Sequence, residues 1–450
     1  MKISTLEIRS WTALATIALA VACGDDDPKT PDTGTGGDSS TGGEASASGG
    51  AGNGKGNDGQ DGDVPLPPDT FKIVSGDITE DTTWTKDKTW KLDGNVWVNP
   101  GVTLTIEPGT FVQGLTSTTN PAVLIVTRGA KLMAEGTPEE PIVFTSAEEP
   151  GFRSPGDWGG VILLGAATNN NGEEVAIEGL DTTDTRKNHG GTDDSHDCGT
   201  LAYARIEFAG IDLGNGDEVN GLTLGSCGEQ TTLHHVMVSN ALDDGFEWFG
   251  GKMKAHHLVV NNAGDDMFDI DMGARVELDT IFGRQIFPQT SDPNGFEWDN
   301  NGGNNAATPV TEVTVSKATL CGNAGANLYP RYGMVLRRGV TGSISEAVVV
   351  GFEAGGASLR DGLWDTNPDA VTLTDSIFFE NGPLHSQGNT VDLDAWFDGN
   401  SADNPGFNAA NCRGAGDGKP PVSSVLTSGV GAFAEGADWL EGAWVSWAEE

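Results

Sequence analysis

Residues 231–251 read TTLHHVMVSNALDDGFEWFGG, and residues 253–273 read MKAHHLVVNNAGDDMFDIDMG, which is the same pattern displaced by 22 residues. Nine of the 21 aligned positions are identical, so the second stretch repeats the first. The identical pairs are His234/His256, His235/His257, Val238/Val260, Asn240/Asn262, Ala241/Ala263, Asp243/Asp265, Asp244/Asp266, Phe246/Phe268 and Gly251/Gly273. A repeat of this length, rich in β-branched residues and glycine, is typical of a chain that winds as a parallel β-helix. Successive coils then stack equivalent side chains about 4.8 Å apart.

The alternation of apolar and polar residues predicts which side chains of the repeat face the core. The predicted inward residues are Val236, Val238, Phe246, Trp248, Leu258, Val260, Phe268 and Ile270. Asn240 and Asn262 fall at the turn between them, where stacked amides can hydrogen-bond along the axis. Glu247 and Asp269 are left facing outward. A third element, GFEWD at residues 295–299, matches residues 245–248 and adds Glu297 to the same outward column.

We call Glu247, Asp269 and Glu297 the acidic column. Its predicted neighbours are also acids, namely Asp243, Asp244, Asp265, Asp266, Asp271 and Asp299. Stacked carboxylates repel by about 1 kcal/mol in water and by several times more in a shielded groove, and screening, a raised pKa or a bound cation relieves this. Ca²⁺ accepts roughly six to eight oxygen ligands in flexible geometry, so these acids are a candidate calcium site. The alternative, which we favour for Asp243 and Asp265, is that the Asp-Asp pairs build turns.

An enzyme that cleaves extracellular polysaccharides is the alternative function, with Glu247, Asp269 and Glu297 as its catalytic residues. Carboxylates about 5–5.5 Å apart are typical of retaining glycosidases, and wider pairs of inverting ones, but adjacent coils of any β-helix have similar spacings. A polysaccharide lyase would need Ca²⁺ and a basic residue. The candidates for that residue are Arg331, Arg337, Arg338, Lys252 and Lys254. We interpret the arginines as surface ion pairs, and no serine, cysteine or metal–histidine signature dominates, so the sequence favours a non-catalytic binding module.

Two histidine pairs, His234–His235 and His256–His257, stack one coil apart in the same repeat. One member of each pair is expected to face outward, which makes a transition-metal site one interpretation. The interpretation that we favour is a stack of buried neutral imidazoles that share hydrogen bonds.

The amino-terminal end predicts export and lipidation. Lys2 and Arg9 precede a short apolar run at residues 11–22, and residues 19–24 (LAVACG) resemble the bacterial lipobox. Residues 1–22 are therefore expected to be a lipoprotein signal peptide, and Cys23 is expected to carry the lipid anchor. Residues 23–70 consist mostly of Gly, Ser, Thr, Asp, Asn and Pro, so we expect a disordered acidic linker.

Residues 71–450 are expected to form one β-helix domain with capped ends. Two polar stretches, residues 167–199 and 285–308, interrupt its rhythm and are predicted to be projecting loops. We expect the tryptophans to help cap the two ends. They are Trp84 and Trp90 at one end, and Trp439, Trp444 and Trp447 at the other.

The net charge limits the possible partners, and the cysteines predict disulfides. The formal net charge is −41, which argues against nucleic-acid binding because that needs clustered Lys and Arg. Beyond Cys23, four cysteines in an exported chain predict two disulfides, and their order suggests Cys198–Cys227 and Cys321–Cys412. No CxxC spacing supports a zinc site.

Several strings resemble a widespread group of bacterial surface β-helix lipoproteins, often labelled hypothetical protein or, misleadingly, multidrug transporter. They include VNPGVTLTIEPGT (98–110), TRGAKLMAEGTPEEPIVFTS (127–146), GDWGGVILLG (156–165), IEGLD (177–181), YARIEFAGI (203–211), NGLTLG (220–225), DDGFEWFGG (243–251) and GAFAEGADWLEGAWVSW (431–447). The resemblance spans nearly all of residues 71–450 and implies a right-handed parallel β-helix on the outer membrane at the cell surface. It implies no reaction. The expected partners are the membrane, through the lipid, and a glycan or other cell-surface molecule.

Overall fold

The chain winds as a parallel β-helix, which confirms the fold predicted from the 22-residue repeat. The computed structural model describes residues 66–180, 183–213, 217–286, 293–323, 331–413, 429–434 and 438–447. The predicted signal peptide, Cys23 and the linker as far as residue 65 lie outside the described residues.

One parallel ladder of 25 strands makes the body of the described chain. In chain order, these strands are Phe71–Ile78, Thr82–Trp84, Thr89–Val98, Thr103–Ile106, Phe111–Gly114, Val123–Val126, Lys131–Glu135, Ile142–Ser146, Gly160–Leu164, Gly199–Glu207, Leu222–Gly225, Thr232–Ser239, Phe246–Phe249, Lys252–Asn261, Phe268–Asp271, Arg275–Arg284, Phe296–Trp298, Glu312–Cys321, Met334–Leu336, Thr341–Ser345, Val348–Val350, Ser358–Arg360, Val371–Thr374, Ile377–Phe379 and His385–Gln387. The short α-helices are Leu393–Phe397 and Ala409–Arg413, and the 3₁₀ turns are Thr185–Lys187, Gly362–Asp365 and Asp438–Leu440.

Each coil contributes strand residues to three faces, and two of these faces matter below. The acidic face consists of Val123–Val126, Gly160–Leu164, Leu222–Gly225, Phe246–Phe249, Phe268–Asp271, Phe296–Trp298 and Met334–Leu336. The tail face consists of residues 236–239, 258–261, 281–284, 318–321 and 348–350.

The core is built by like residues stacked on like. All eight residues predicted to face inward, from Val236 to Ile270, belong to the main apolar core and are at most 1% exposed. Phe246 and Phe268 lie with their ring centroids 5.5 Å apart and their planes within 7°. At the turn, Asn262 donates from Nδ2 to Asn240 Oδ1 at 3.2 Å, as predicted. Register along the axis therefore follows the sequence period.

The first insertion leaves the coil, as predicted, and folds back over the acidic face. It contains an antiparallel pair, Val175–Ala176 with Asn188–His189, and a second pair follows, Ile211–Asp212 with Glu218–Val219. Ile177 and Leu180 of the first insertion and Val219 of the second pair belong to a cover of apolar side chains against the outer side of the face. This cluster comprises Trp97, Val123, Ile125, Ile162, Leu164, Ile177, Leu180, Val219 and Phe249.

The second insertion joins the first through asparagines. Asn170 Nδ2 donates to the carbonyl oxygen and to Oδ1 of Asn300, at 2.8 and 2.9 Å, and Asn301 donates back to Asn170 at 3.0 Å. Of this insertion, residues 287–292 lie outside the described residues.

The carboxyl-terminal tryptophans lie along the side of the β-helix rather than at its end, so the capping role predicted for them is wrong. Their cluster on the tail face joins Met237, Val259, Phe282, Val348 and Val350 with Phe433, Trp444 and Trp447, and Trp439 packs against it. The tail also reaches an early coil, because Ala443 N–H donates to the Pro138 carbonyl at 2.6 Å. At the last coil, Trp396 of helix Leu393–Phe397 is buried in the core and donates from Nε1 to the Val371 carbonyl at 2.8 Å.

Both predicted disulfides are present. Cys198 and Cys227 have Cα atoms 5.8 Å apart, and Cys321 and Cys412 have Cα atoms 5.6 Å apart. The second bond joins strand Glu312–Cys321 to helix Ala409–Arg413.

Within the described part of the chain, no helix is both long enough and apolar enough to cross a membrane.

Candidate functional site

The strand register places Glu247, Asp269 and Glu297 in one column on the acidic face. Glu247 pairs with Asp269 across one coil boundary, and Asp269 pairs with Glu297 across the next. Thr223 precedes the column and Val335 follows it, so the acidic stretch spans three coils. The stack predicted from the repeat therefore exists.

The acidic column faces away from the core, as predicted, but it is not a ridge on the surface. Glu247 is only 6% exposed and Glu297 only 8%, and Asp269 is half-buried. We call the acidic column together with its predicted acidic neighbours the acidic cluster. The covering hairpins bring two further acids, Glu178 and Glu218, whose charges act on Glu247 and Asp243 of this cluster. The sequence reasoning missed both residues. The string IEGLD contains Glu178, but a single acid in an insertion has no periodicity that would align it with a strand.

Asp244 and Asp266 have a structural role at the turn before the acidic face. A ladder of side-chain oxygens runs down this turn, and each oxygen accepts the backbone N–H of the next coil. Its steps run from Asn220 to Asp244 N–H at 3.3 Å, from Asp244 to Asp266 N–H at 2.8 Å, from Asp266 to Asn294 N–H, and from Asn294 to Tyr332 N–H at 3.2 Å. The asparagines at both ends also donate to the acidic column, Asn220 to Glu247, and Asn294 to Glu297 at 3.3 Å.

Arginines neutralise only one end of the cluster. Arg337 pairs with Glu297, and its Nε lies 2.8 Å from Asp299 Oδ2, which also pairs with Arg338. Within the described residues, no ion pair involves Asp244, Glu247, Asp266, Asp269 or Asp271. In the described part of the chain, the central acids therefore lack the ion pairs that neutralise the Glu297–Asp299 end.

Burial changes the protonation of these carboxyls. Desolvation, reinforced by neighbouring carboxylates, raises the pKa values of the central acids far above their usual range. These acids are Asp243, Asp244, Glu247, Asp266 and Asp269. The same causes raise the pKa of Asp271 to about 7 and that of Glu178 to about 8. Near neutral pH, the cluster therefore holds protons unless a cation replaces them.

The oxygen geometry suits a cation. Three overlapping groups, Asp243/Asp244/Asp265, Asp244/Glu247/Asp269 and Asp266/Asp269/Glu297, each offer oxygens within 4.8 Å of one another. Two oxygens on opposite sides of one Ca²⁺ ion lie about 4.8 Å apart, because each is about 2.4 Å from the ion. Asp269 belongs to two of the groups, and its buried Oδ1 has no hydrogen-bond partner among the described residues.

The basic residues suggested for a lyase are already engaged or distant. Arg337 and Arg338 form ion pairs, as predicted, but their partners are the buried acids Glu297 and Asp299 and not surface acids. Arg331 is 2% exposed, so it is not a surface residue either. Lys252 pairs with Glu229 and Lys254 with Glu277, both at 2.6 Å on a different face.

Comparison with known proteins supplies the family. The family model described as pectate-lyase like beta helix domain matches residues 76–419, which include the whole acidic cluster. None of the curated proteins matches this chain. Since the match spans most of the sequence and the strands wind as that description requires, the chain belongs to the pectate-lyase-like β-helix domain family.

Proposed function

We propose that this protein is an exported, lipid-anchored β-helix of the outer-membrane surface that acts as a non-catalytic binding module, and that its acidic cluster holds Ca²⁺. The charge of −41 and the repeated coils suit a rigid anionic rod that presents its sides to a glycan or to another surface molecule.

The observation that carries the calcium proposal is the position of Asp269. This carboxylate is shared by two groups of close oxygens, and its buried Oδ1 has no hydrogen-bond partner in the described part of the chain. A buried oxygen of this kind costs free energy unless a proton or a cation binds it. Arg337 and Arg338 neutralise only the Glu297–Asp299 end, which leaves the rest of the cluster in need of positive charge.

A calcium titration tests this part of the proposal. The metal-free protein should bind Ca²⁺ in calorimetry, and its unfolding free energy should rise by about 2.7 kcal/mol at a Ca²⁺ concentration one hundred times the Kd. Asp269→Asn should weaken binding more than Glu247→Gln, because Asp269 belongs to two of the three oxygen groups and Glu247 to only one. The matched control is Glu277→Gln, an exposed acid paired with Lys254, which should bind as the wild type does. A melting temperature indifferent to both EGTA and added Ca²⁺ would refute the site.

Polysaccharide cleavage is the second candidate, and the family match favours it. Against it, Glu247 and Glu297 are only 6% and 8% exposed, so a polymer chain has no direct access to them. A panel of uronic-acid and neutral glycans separates the two functions. Turnover by the wild type that is lost in Glu247→Gln and Asp269→Asn would establish the enzyme, whereas binding of a glycan without turnover would support the module.

The lipid anchor rests on the lipobox-like residues 19–24 and the polar linker that follows them. Cys23→Ser should release the protein from the membrane fraction or leave a longer, unprocessed precursor. Membrane association and apparent mass identical to those of the wild type would contradict lipidation.

A further inference from the structure

Four histidines meet on one edge of the β-helix, at a place unrelated to the acidic column. We call His234, His235, His256 and His257 the histidine corner. The sequence led us to expect one histidine of each pair to face outward, but both members of each pair face away from the core. The neighbouring core residues Leu233 and Val236 are 2% and 0% exposed.

The backbone explains why both members face away. His235 and His257 have positive φ values of 50° and 55°, which interrupt the alternation of the strand at that residue. The same corner repeats in neighbouring coils, where the equivalent residues Tyr203, Thr280 and Lys317 have φ values of 46°, 54° and 57°. Positive φ is therefore a property of this corner in every one of these coils, and the two repeat coils place histidines there.

The imidazoles are arranged as two stacks side by side. The rings of His235 and His257 are parallel within 5°, with centroids 4.4 Å apart, and those of His234 and His256 are parallel within 9° at 5.0 Å. Within each coil the two Nδ1 atoms approach one another, to 3.0 Å for His234 and His235 and to 2.7 Å for His256 and His257. His256 is exposed, and the other three histidines are half-buried.

We propose that His235, His256 and His257 bind a divalent transition-metal ion of the Zn²⁺, Ni²⁺ or Cu²⁺ type. One ring nitrogen from each of the three lies within 4.8 Å of the others. Nitrogens bound tetrahedrally to Zn²⁺ at about 2.0–2.1 Å lie about 3.4 Å apart, so modest ring rotations complete the site. Imidazole is a preferred ligand of these metals, whereas Ca²⁺ takes oxygen ligands, so the two sites select different ions.

A carboxylate lies beside the histidine corner. Asp279 follows His256 in the strand register and supplies a nearby negative charge.

The carboxyl-terminal tail places two tryptophans next to the histidine corner, and their fluorescence can report a bound metal. The Trp444 ring lies 5.2 Å from that of His235, and the Trp439 ring lies 5.2 Å from that of His257. A paramagnetic ion held by the histidine corner would quench the fluorescence of these two indoles. Fluorescence of the segment that covers the tail face would therefore report metal bound at the histidine corner.

The test uses the full-length protein in excess Ca²⁺, so that the acidic cluster does not compete for the added metal. After equilibrium dialysis against Zn²⁺, the protein should retain one equivalent at this site, and Cu²⁺ should give an electron paramagnetic resonance spectrum with nitrogen couplings and quenched tryptophan fluorescence. His256→Ala and His257→Ala should each weaken binding at least about tenfold, by removing a ligand. His196→Ala and His385→Ala, which change histidines outside the corner, should bind as the wild type does.

Three results would overturn the proposal. These are no zinc retained by the wild type, equal retention by His256→Ala and His385→Ala, or a copper spectrum with oxygen ligands alone. His256 is exposed, so its substitution leaves the fold intact, and circular dichroism and the melting temperature verify this for each variant.

Discussion

At the scale of single residues, Asp244 and Asp266 serve two purposes with one side chain. One oxygen of each accepts a backbone N–H of the next coil, and each residue also offers an oxygen to the groups that include Asp269. Asn220 and Asn294 occupy equivalent positions in the ladder, so the structural purpose needs an oxygen acceptor and not a charge.

Substitution of Asp244 should separate these purposes. In EGTA, Asp244→Asn keeps an acceptor for Asp266 N–H and should change the free energy of unfolding little. Asp244→Ala leaves this buried N–H without a partner and should cost about 1–3 kcal/mol. Urea unfolding of the three proteins measures the difference. If the asparagine variant loses as much stability as the alanine variant, the hydrogen bond to Asp266 N–H is not the contribution that Asp244 makes to stability.

At the scale of elements, the tail and the β-helix depend on each other. Phe433 is fully buried, 5.3 Å from the Phe282 ring and 5.7 Å from that of Trp439, against the outer side of strand Arg275–Arg284. Large apolar residues point outward on this face because the tail covers them.

Phe433→Ala should therefore destabilise the protein by about 3–5 kcal/mol, since it removes a buried aromatic ring and leaves a cavity. Phe152→Ala is the matched control, because Phe152 is 78% exposed and its loss should have almost no effect. Thermal and urea unfolding compare the two variants, and increased binding of a hydrophobic dye by Phe433→Ala would report the uncovered face. Equal stability of both variants would show that the tail contributes nothing to folding.

At the scale of the whole molecule, buried acids and buried histidines give opposite responses to pH. Acids with raised pKa values bind protons more tightly in the folded chain than in the unfolded one. Burial lowers the pKa of His189 to about 4, and that of His235 to about 3, so the folded chain binds these protons less tightly. Linkage converts both differences into stability.

Without metal, the free energy of unfolding should rise as the pH falls below about 8, where Glu178 takes up a proton in the folded chain alone, and more steeply below about 7, where Asp271 does the same. The slope is about 1.4 kcal/mol per pH unit for each group that is protonated in the folded chain and ionised in the unfolded chain. Below 6.5, the ordinary pKa of histidine, protonation of unfolded histidines opposes the rise. Saturating Ca²⁺ should flatten the upper part of the curve, because a bound cation keeps the carboxylates ionised. Identical pH profiles with and without Ca²⁺ would contradict a cation in the cluster.

The sequence predicted the coil, the inward residues, the stack of Glu247 on Asp269 on Glu297, and both disulfides. These features follow from period and order alone: once residue 247 and residue 269 are equivalent positions of one repeat, parallel pairing places them next to each other. The same logic stacks Asn240 on Asn262.

Other features required the tertiary structure. The burial of the acidic column depends on an insertion that brings Glu178 to it, and the cover of the tail face depends on Phe433 reaching Phe282. Neither contact repeats along the chain, so no period in the sequence encodes it. Positive φ at His235 and His257 likewise turns two histidines outward where alternation predicts one. The sequence alone determined how the coils stack, because the same short repeat sets the pairing at each step. The tertiary structure decided which segments cover the coils, because each covering contact is long-range and occurs once.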